Sequence, residues 1–463
     1  MEPQKKVAVI GLDCAAPELV FEQWRDELPC LSAIMETGSW GKLESTCPPI
    51  TVPAWSCMMS GKDPGELGIY GFRNRKDYTY DGMTIADSRA VRERRVWDIL
   101  SEAGKKCIVL SVPGTYPPRP INGSLVTCFL TPNADSDYTH PPELKQEIVS
   151  RFGPYLMDVK GFRSEDKDQI LAQIYEMTDQ HFAMARHLIS TRPWDFFMMV
   201  EMGVDRIHHA FWKFHDPTHR KFEPGNRYQH AIREYYRHID KKISELLPAL
   251  GDDTTVLVVS DHGAKAMDGG VCINEWLMRE GYLTLAELPS GPTPLGKAKI
   301  DWSKTRVWGE GGYYARVFMN VKNREPQGVI PTAAYEPLRD ELKAKLEAMT
   351  DDQGRPLGNK VFKPQDVYHT VRGVPPDLIV YFGGLNWRSV GSVGYGSVYT
   401  FENDTGPDDA NHAEYGIVLI REKNGTRGRT LQGAKIYDIS ATILDRFGLE
   451  TPSDMHGRPL HAS

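Results

Sequence analysis

Short apolar runs punctuate the chain at Val7–Leu12, Cys107–Val112, Asp195–Val200, Thr255–Ser260 and Tyr415–Ile420. Runs of this length without polar alternation predict strands buried on both faces of a mainly parallel sheet. Between them, apolar positions recur with helical spacing over Val91–Glu102, Asn226–Leu247 and Ile436–Phe447. The alternation predicts an α/β fold, a doubly wound, mainly parallel sheet flanked by helices. Such sheets bind ligands beyond the carboxyl ends of their strands. Two of the runs deliver acidic residues to that edge: Leu12 leads into Asp13, and Ser260 into Asp261-His262-Gly263.

Two stretches break the alternation. Residues 113–190 begin dense in proline and continue with helical spacing, which predicts a smaller helical excursion. Residues 265–410 hold a Pro/Gly linker at Pro289–Gly296, a strand-like piece at Tyr313–Val321 and a Gly/Ser-rich segment at Gly383–Gly396. This second stretch reads as an inserted cap, a substrate-specificity subdomain lying over the strand ends. The catalytic core then comprises 1–264 and 411–463.

Composition narrows the class of protein. The chain has 463 residues, 40% hydrophobic and 25% charged, which excludes a disordered chain. Lys+Arg total 55 and Asp+Glu 62, a net charge of −7 that argues against a nucleic-acid polymer as partner. No apolar run approaches the ~18 residues that span a bilayer, so no membrane partner is expected. The start, Met1–Lys6, is followed by too short an apolar stretch for a secretory leader. Seven cysteines, odd in number and without a C-x-x-C pair, indicate neither a disulfide framework nor a thiolate zinc site. A reduced, cytoplasmic compartment is the expectation.

Five sites carry candidate chemistry. Asp13 ends the first strand. Thr51 precedes Pro53, a residue suited to the first position of a helix, so Thr51 is expected just before a helix N-terminus, a place that favours anions. Asp205 and His209 are spaced i,i+4 and share one helical face; His208 competes with His209 for the same role. Asp261-His262 leaves an apolar strand at the ligand edge, and His412 precedes the last core strand. Each taken singly has an ordinary explanation as a cap, a turn former or a surface pair.

In this chain order the residues resemble the alkaline phosphatase superfamily, in particular the type I phosphodiesterase/nucleotide pyrophosphatase branch and its bacterial phosphohydrolase or phosphomutase relatives. The motifs are Val-Ile-Gly-Leu-Asp13, Pro-Pro-Ile-Thr51-Val-Pro-Ala-Trp with Ser60-Gly61 and Gly68-Ile-Tyr-Gly71, Gly203-Val-Asp205-x-x-x-His209, Val-Ser260-Asp261-His262-Gly263 and Asn411-His412-Ala. The resemblance implies an alkaline phosphatase-like fold and two divalent metal ions. One would be held by Asp13, Thr51, Asp261 and His262, the other by Asp205, His209 and His412. Nitrogen and carboxylate donors suit zinc first and manganese second.

The activity so implied is metal-dependent hydrolysis of a small phosphorylated substrate, a phosphodiester or a phosphomonoester. Metal-activated Thr51 attacks in line and a phospho-threonine intermediate follows. A phosphomutase acting on sugar phosphates through the same core, and a non-catalytic metal-stabilised binding protein, are the alternatives. Nucleotide pyrophosphatases typically carry Asn three residues after the nucleophile, where this chain has Ala54, which puts nucleotide-diester specificity in question. Lys265, Arg73 or Arg75, and Tyr313, Arg316 and Arg324 of the insertion are candidates for contacting the substrate instead. Cys47-Pro-Pro-Ile-Thr51 lacks the Arg of a sulfatase motif. A Thr nucleophile with its larger insertion after Asp-His-Gly also differs from cofactor-independent phosphoglycerate mutases.

Overall fold

A computed structural model describes residues 5–423 and 428–460; residues 1–4 of the N-terminal start lie outside it. The central sheet is mixed. Its strand order is Arg429–Thr430, Ser39–Glu44, Tyr415–Arg421, Thr255–Val259, Val7–Leu12, Phe196–Glu201, Cys107–Leu110, Gly123–Val126 and Thr139–His140, with Ala434–Lys435 also paired to Ser39–Glu44. The middle is parallel: Val7–Leu12 lies between Phe196–Glu201 and Thr255–Val259. All six residues of Val7–Leu12 and of Phe196–Glu201 are buried. Burial from both faces is why these strands read as unbroken apolar runs.

Helices flank the sheet in two groups. Lys167–Thr191, Gly203–His215, Ala231–Leu250 and Pro29–Thr37 pack against one another, as do Thr51–Ser60, Val96–Glu102 and Asp438–Arg446. The sheet and both groups share one hydrophobic core drawn from residues 7–264 and 410–460.

Tyr415–Arg421 runs antiparallel to both of its neighbours. The reason is positional. Chain returning from residues 265–410 re-enters the sheet at the edge where the parallel strands end, so its first strand must run backwards. Only that direction sets a residue just before this strand beside residues just after the others. The proline-dense stretch also departs from a purely helical excursion. Gly123–Val126 and Thr139–His140 extend the main sheet before the helices Leu144–Phe152 and Lys167–Thr191 begin.

Residues 271–398 have their own apolar cluster. It forms under a four-stranded antiparallel sheet, ordered Val307–Glu310, Ala315–Met319, Leu378–Tyr381 and Lys360–Phe362, with the helix Tyr335–Glu347 against it. Ala315–Met319 falls within the predicted piece Tyr313–Val321. A third cluster, including Ile50, Tyr70, Tyr314, Tyr368 and Tyr381, joins this unit to the segment around Thr51. Among the described residues, no helix is long and apolar enough to cross a membrane.

Candidate active site and metal centre

The site forms where the parallel strands end. Val7–Leu12 delivers Asp13 there. Gly11 leaves room for the helix Thr51–Ser60 to close in, since a Cβ at Gly11 would sit 2.5 Å from the Trp55 ring. Trp55 Nε1 then donates to Asp13 Oδ2 at 2.6 Å and fixes that carboxylate. Cys14 takes a left-handed conformation (φ 68°), a cost for a non-glycine residue, and its N–H donates to Asp261 Oδ1 at 3.2 Å. Backbone of the first strand end thereby orients the acid of another.

Thr51 is the first residue of its helix, whose N-terminus no side chain caps. Its Oγ1 lies 3.4 Å from Asp13 Oδ1 and 3.3 Å from His262 Nε2. Asp205 and His209 occupy the first turns of Gly203–His215, with His209 Nε2 3.2 Å from Asp205 Oδ1. His208 turns the other way, to the Tyr236 hydroxyl at 3.1 Å. The short strand Ala410–Ala413 pairs antiparallel with Gly263–Ala266 and sets His412 opposite Ala264. The His412 ring consequently stacks on His262 at 3.8 Å, and its Nε2 lies 3.2 Å from that of His209. Residues spread from 13 to 412 thus meet at one point, each no more than 2% exposed.

Their donor atoms fall into two groups, Asp13–Asp261–His262 and Asp205–His209–His412, each with ligand atoms within 4.8 Å of one another. Each group contains a buried carboxylate oxygen without a hydrogen-bond donor, Asp261 Oδ2 in the first and Asp205 Oδ1 in the second. Buried oxygens of this kind are costly unless a cation completes them. The imidazoles are oriented from behind: Nδ1 of His209 contacts Asp408 Oδ1 at 2.8 Å, that of His412 the Pro49 carbonyl at 2.9 Å, and that of His262 the Gly263 carbonyl at 3.2 Å. All three Nε2 atoms are left for the centre, an arrangement typical of metal-ligating histidines. The residues therefore fit divalent cations. Cys14 also lies within ligand range of His262 and His412, a proximity the spacing did not reveal; burial pushes its thiol well up, which favours the protonated form.

Electrostatics describe the same crowding. Burial, then the charge of Asp205, raises Asp13 well above the ordinary carboxylate range, and burial, then Asp13, does the same to Asp261. Burial opposes ionisation of Asp205 too, but His209 and Arg206 hold it well below that range. Burial alone would depress His209, yet Asp408 and Asp205 raise it to about 9. Asp13 and Asp261, so enclosed, ask for more positive charge than the protein supplies around them.

A cavity of about 470 Å³ opens onto Thr51, Asp205 and His412. Of the residues singled out for substrate contact, Arg73, Tyr313 and Arg316 line it. Tyr313 stacks on His209 at 4.8 Å, and its hydroxyl donates to Asp408 at 3.1 Å. Lys265 is not brought here. It borders a separate pocket with Glu18 and Gln23, and its ammonium donates to the Gly384 carbonyl at 2.9 Å. Its neighbour Ala264 is the residue opposite His412, and strand alternation turns the next side chain to the other face. Arg75 is a buried partner of Glu325 at 3.3 Å, and Arg324 is held by Asp377 at 2.8 Å. Arg163, Arg206 and Arg388 line the cavity without having stood out in the sequence. Asp408 was also missed; its sequence signal is only that it sits four residues before His412.

A family model described as type I phosphodiesterase / nucleotide pyrophosphatase matches residues 7–408. The chain belongs to this family. It is accordingly a phosphoric ester hydrolase of the alkaline phosphatase superfamily, with candidate metal-ligand groups built from Asp and His. Human ectonucleotide pyrophosphatase/phosphodiesterase 5 is a structural neighbour at TM-score 0.54 and 14% identity, over 99% of this chain and 97% of that one. An inactive murine ectonucleotide pyrophosphatase/phosphodiesterase 5 in complex with AMP is another, at 0.55 and 14%, over 97% and 96%. These likenesses show the alkaline phosphatase-like fold. A search of curated proteins found no match.

Within this family fold, Asp408 has a definite expected role. Asp408→Asn keeps the shape but weakens the hold on His209 Nδ1, and should lower divalent-cation affinity about 10- to 100-fold. Metal content after dialysis against graded chelator is the measurement.

Proposed function

We propose that the protein hydrolyses a small, nucleotide-like phosphoester by in-line attack of Thr51 on phosphorus, with two divalent cations, zinc first and manganese second, held by the two Asp/His groups. The observation that carries this reading is the position of Thr51 Oγ1, at a helix N-terminus, beside Asp13 and His262 and facing the cavity. The cations, when bound, supply Lewis-acid polarisation of phosphoryl oxygens and lower the pKa of a hydroxyl or a water.

The remaining steps belong to the chain. Thr51 Oγ1 gives up its proton and forms the new O–P bond as the bond from phosphorus to the leaving oxygen breaks, and the leaving oxygen takes up a proton and departs as an alcohol. Water then attacks the phospho-threonine, the Oγ1–P bond breaks, and Thr51 is regenerated. Amide N–H groups at the tip of the Thr51 helix offer donors for the phosphoryl oxygens. Ala54 supplies no side-chain donor, so further donors come from Arg206 and Arg163, which line the same cavity. The AMP bound by the murine relative supports a small nucleotide-like substrate.

The test is turnover of p-nitrophenyl phosphate and bis-p-nitrophenyl phosphate by protein reloaded with single metals. Hydrolysis of at least one ester, lost with chelator and restored by zinc or manganese, is the expected result. No turnover of either ester with any divalent cation overturns the reading.

A further inference from the structure

The cavity wall carries more positive charge than one reacting phosphate requires. Five arginines line the cavity. Two are already neutralised: Arg206 pairs with Asp158 at 2.7 Å as well as with Asp205, and Arg163 with Asp408 at 3.0 Å. Arg73 and Arg316 are not, and Arg388 is so only in part. Arg73, exposed at the cavity, forms no ion pair among the described residues. Arg316 is 8% exposed and forms none either; its Nη1 donates only to the Arg73 carbonyl. Arg388 is 4% exposed; it pairs loosely with Asp404 at 3.6 Å and its Nη1 donates to Thr405 Oγ1 at 3.2 Å, but its Nε has no hydrogen-bond partner. Glu310 sits opposite Arg316 in the sheet and feels the charge of Arg316, Arg73 and Arg75, yet makes an ion pair with none of them.

Arg316, buried without a carboxylate, and the unpartnered Nε of buried Arg388 are unfavourable until an anion arrives, and Arg73 adds an unpaired charge at the cavity mouth. Planar guanidinium groups also match oxyanions in shape. From this geometry we propose that the substrate carries a second oxyanion, a phosphate or a carboxylate, away from the phosphoester that meets Thr51, and that Arg73, Arg316 and Arg388 bind it. The inference rests on the hydrolase reading only for the identity of the first group. It narrows the substrate class to doubly anionic compounds, with the 271–398 unit supplying Arg316 and Arg388.

The test is calorimetric binding of phosphonate ligands to the metal-loaded protein. Phenylphosphonate bearing a para hydroxymethyl group is the neutral reference, and the para carboxylate and para phosphonate are the charged arms. The charged ligands should bind about 10- to 100-fold more tightly, as expected for a new charge-assisted hydrogen-bonded pair. The tighter of the two identifies the oxyanion. In Arg73→Gln, where an exposed side chain changes and folding is not at risk, and in Arg388→Gln, this preference should fall at least about five-fold, one lost charged contact among three. Equal binding of neutral and charged ligands by the wild type, no binding of the charged ligands, or an unchanged preference in both variants overturns the proposal. Because binding is read without turnover, an inactive protein that still prefers the charged ligands refutes the hydrolase reading and leaves this one standing.

Discussion

Thr51→Ala should lower hydrolysis of the p-nitrophenyl esters by on the order of 10⁴- to 10⁶-fold, the scale on which removal of a covalent nucleophile acts in other hydrolases. Alanine retains the Cβ and suits a helix better than threonine, so the helix Thr51–Ser60 and its packing should persist. The Asp and His donors are untouched, so at saturating cation the metal content should stay near the wild-type value even though the hydroxyl that the resemblance counts as a ligand is gone. Thr51→Ser separates the hydroxyl from the methyl: it restores an oxygen nucleophile and should recover most of the lost rate. Acid quenching during turnover, followed by peptide mass spectrometry, should find phosphate on Thr51 in the wild type and none in the alanine variant. A wild-type rate in Thr51→Ala would remove Thr51 as the nucleophile, whatever the metals do.

How much of this could be read from residues alone differs by element, for physical reasons. Val7–Leu12 and Thr255–Val259 were legible because central parallel strands are covered on both faces and cannot carry polar positions. Ser39–Glu44 was not, since its burial alternates and it exposes Lys42; alternation over Ser39-Trp-Gly-Lys-Leu-Glu was the available signal. Gly123–Val126 was hidden by the prolines before it and by its brevity. The direction of Tyr415–Arg421 was out of reach, because an apolar run looks the same run either way.

The same logic divides the site. Asp205 and His209 announce themselves through i,i+4 spacing, a local property. Asp408 acts on a ring 199 positions away, and no local spacing encodes that. Lys265 shows the limit from the other side. Its place beside Asp261-His262 was legible, but the face it presents depends on a pairing with residues 410–413 that only the tertiary structure supplies. Arginines of the cavity wall are similarly silent in sequence, since they are a few among 55 basic residues without periodic placement. Their meaning emerges from which of them keep an unpaired charge or an unpartnered N–H.

Asp205→Asn should be nearly as damaging as loss of the nucleophile, by a different route. Asp205 Oδ1 stands 3.2 Å from His209 Nε2 and 3.6 Å from His412 Nε2, while Oδ2 accepts from Arg206 Nη1. An asparagine of the same shape has one acceptor and one donor end. Arg206 is itself a donor, so the amide oxygen must face Arg206 and the NH₂ must face the two imidazoles. That places a donor where a cation needs an electron pair, and a charge of −1 disappears from the group. Removing a partner that merely orients a ligand costs about 10- to 100-fold in metal affinity; loss of a direct ligand should cost at least ~100-fold. The fold should tolerate the change, because Arg206 keeps Asp158 through two contacts, at 2.7 and 2.9 Å. Asp205→Ala would add a void beside a partly unpaired guanidinium and confuse the two effects. The informative readouts are bound metal per chain and the rise in Tm on adding cation. Ligands that bind only the folded state stabilise it by an amount that grows with the logarithm of their concentration over Kd, so the wild type should gain Tm and Asp205→Asn should lose part of that gain while retaining what the Asp13–Asp261–His262 group confers. An unchanged metal content together with an unchanged Tm rise would mean that Asp205 holds no cation. The Asp205–His209–His412 group would then be an ion-pair network and not half of a two-metal site.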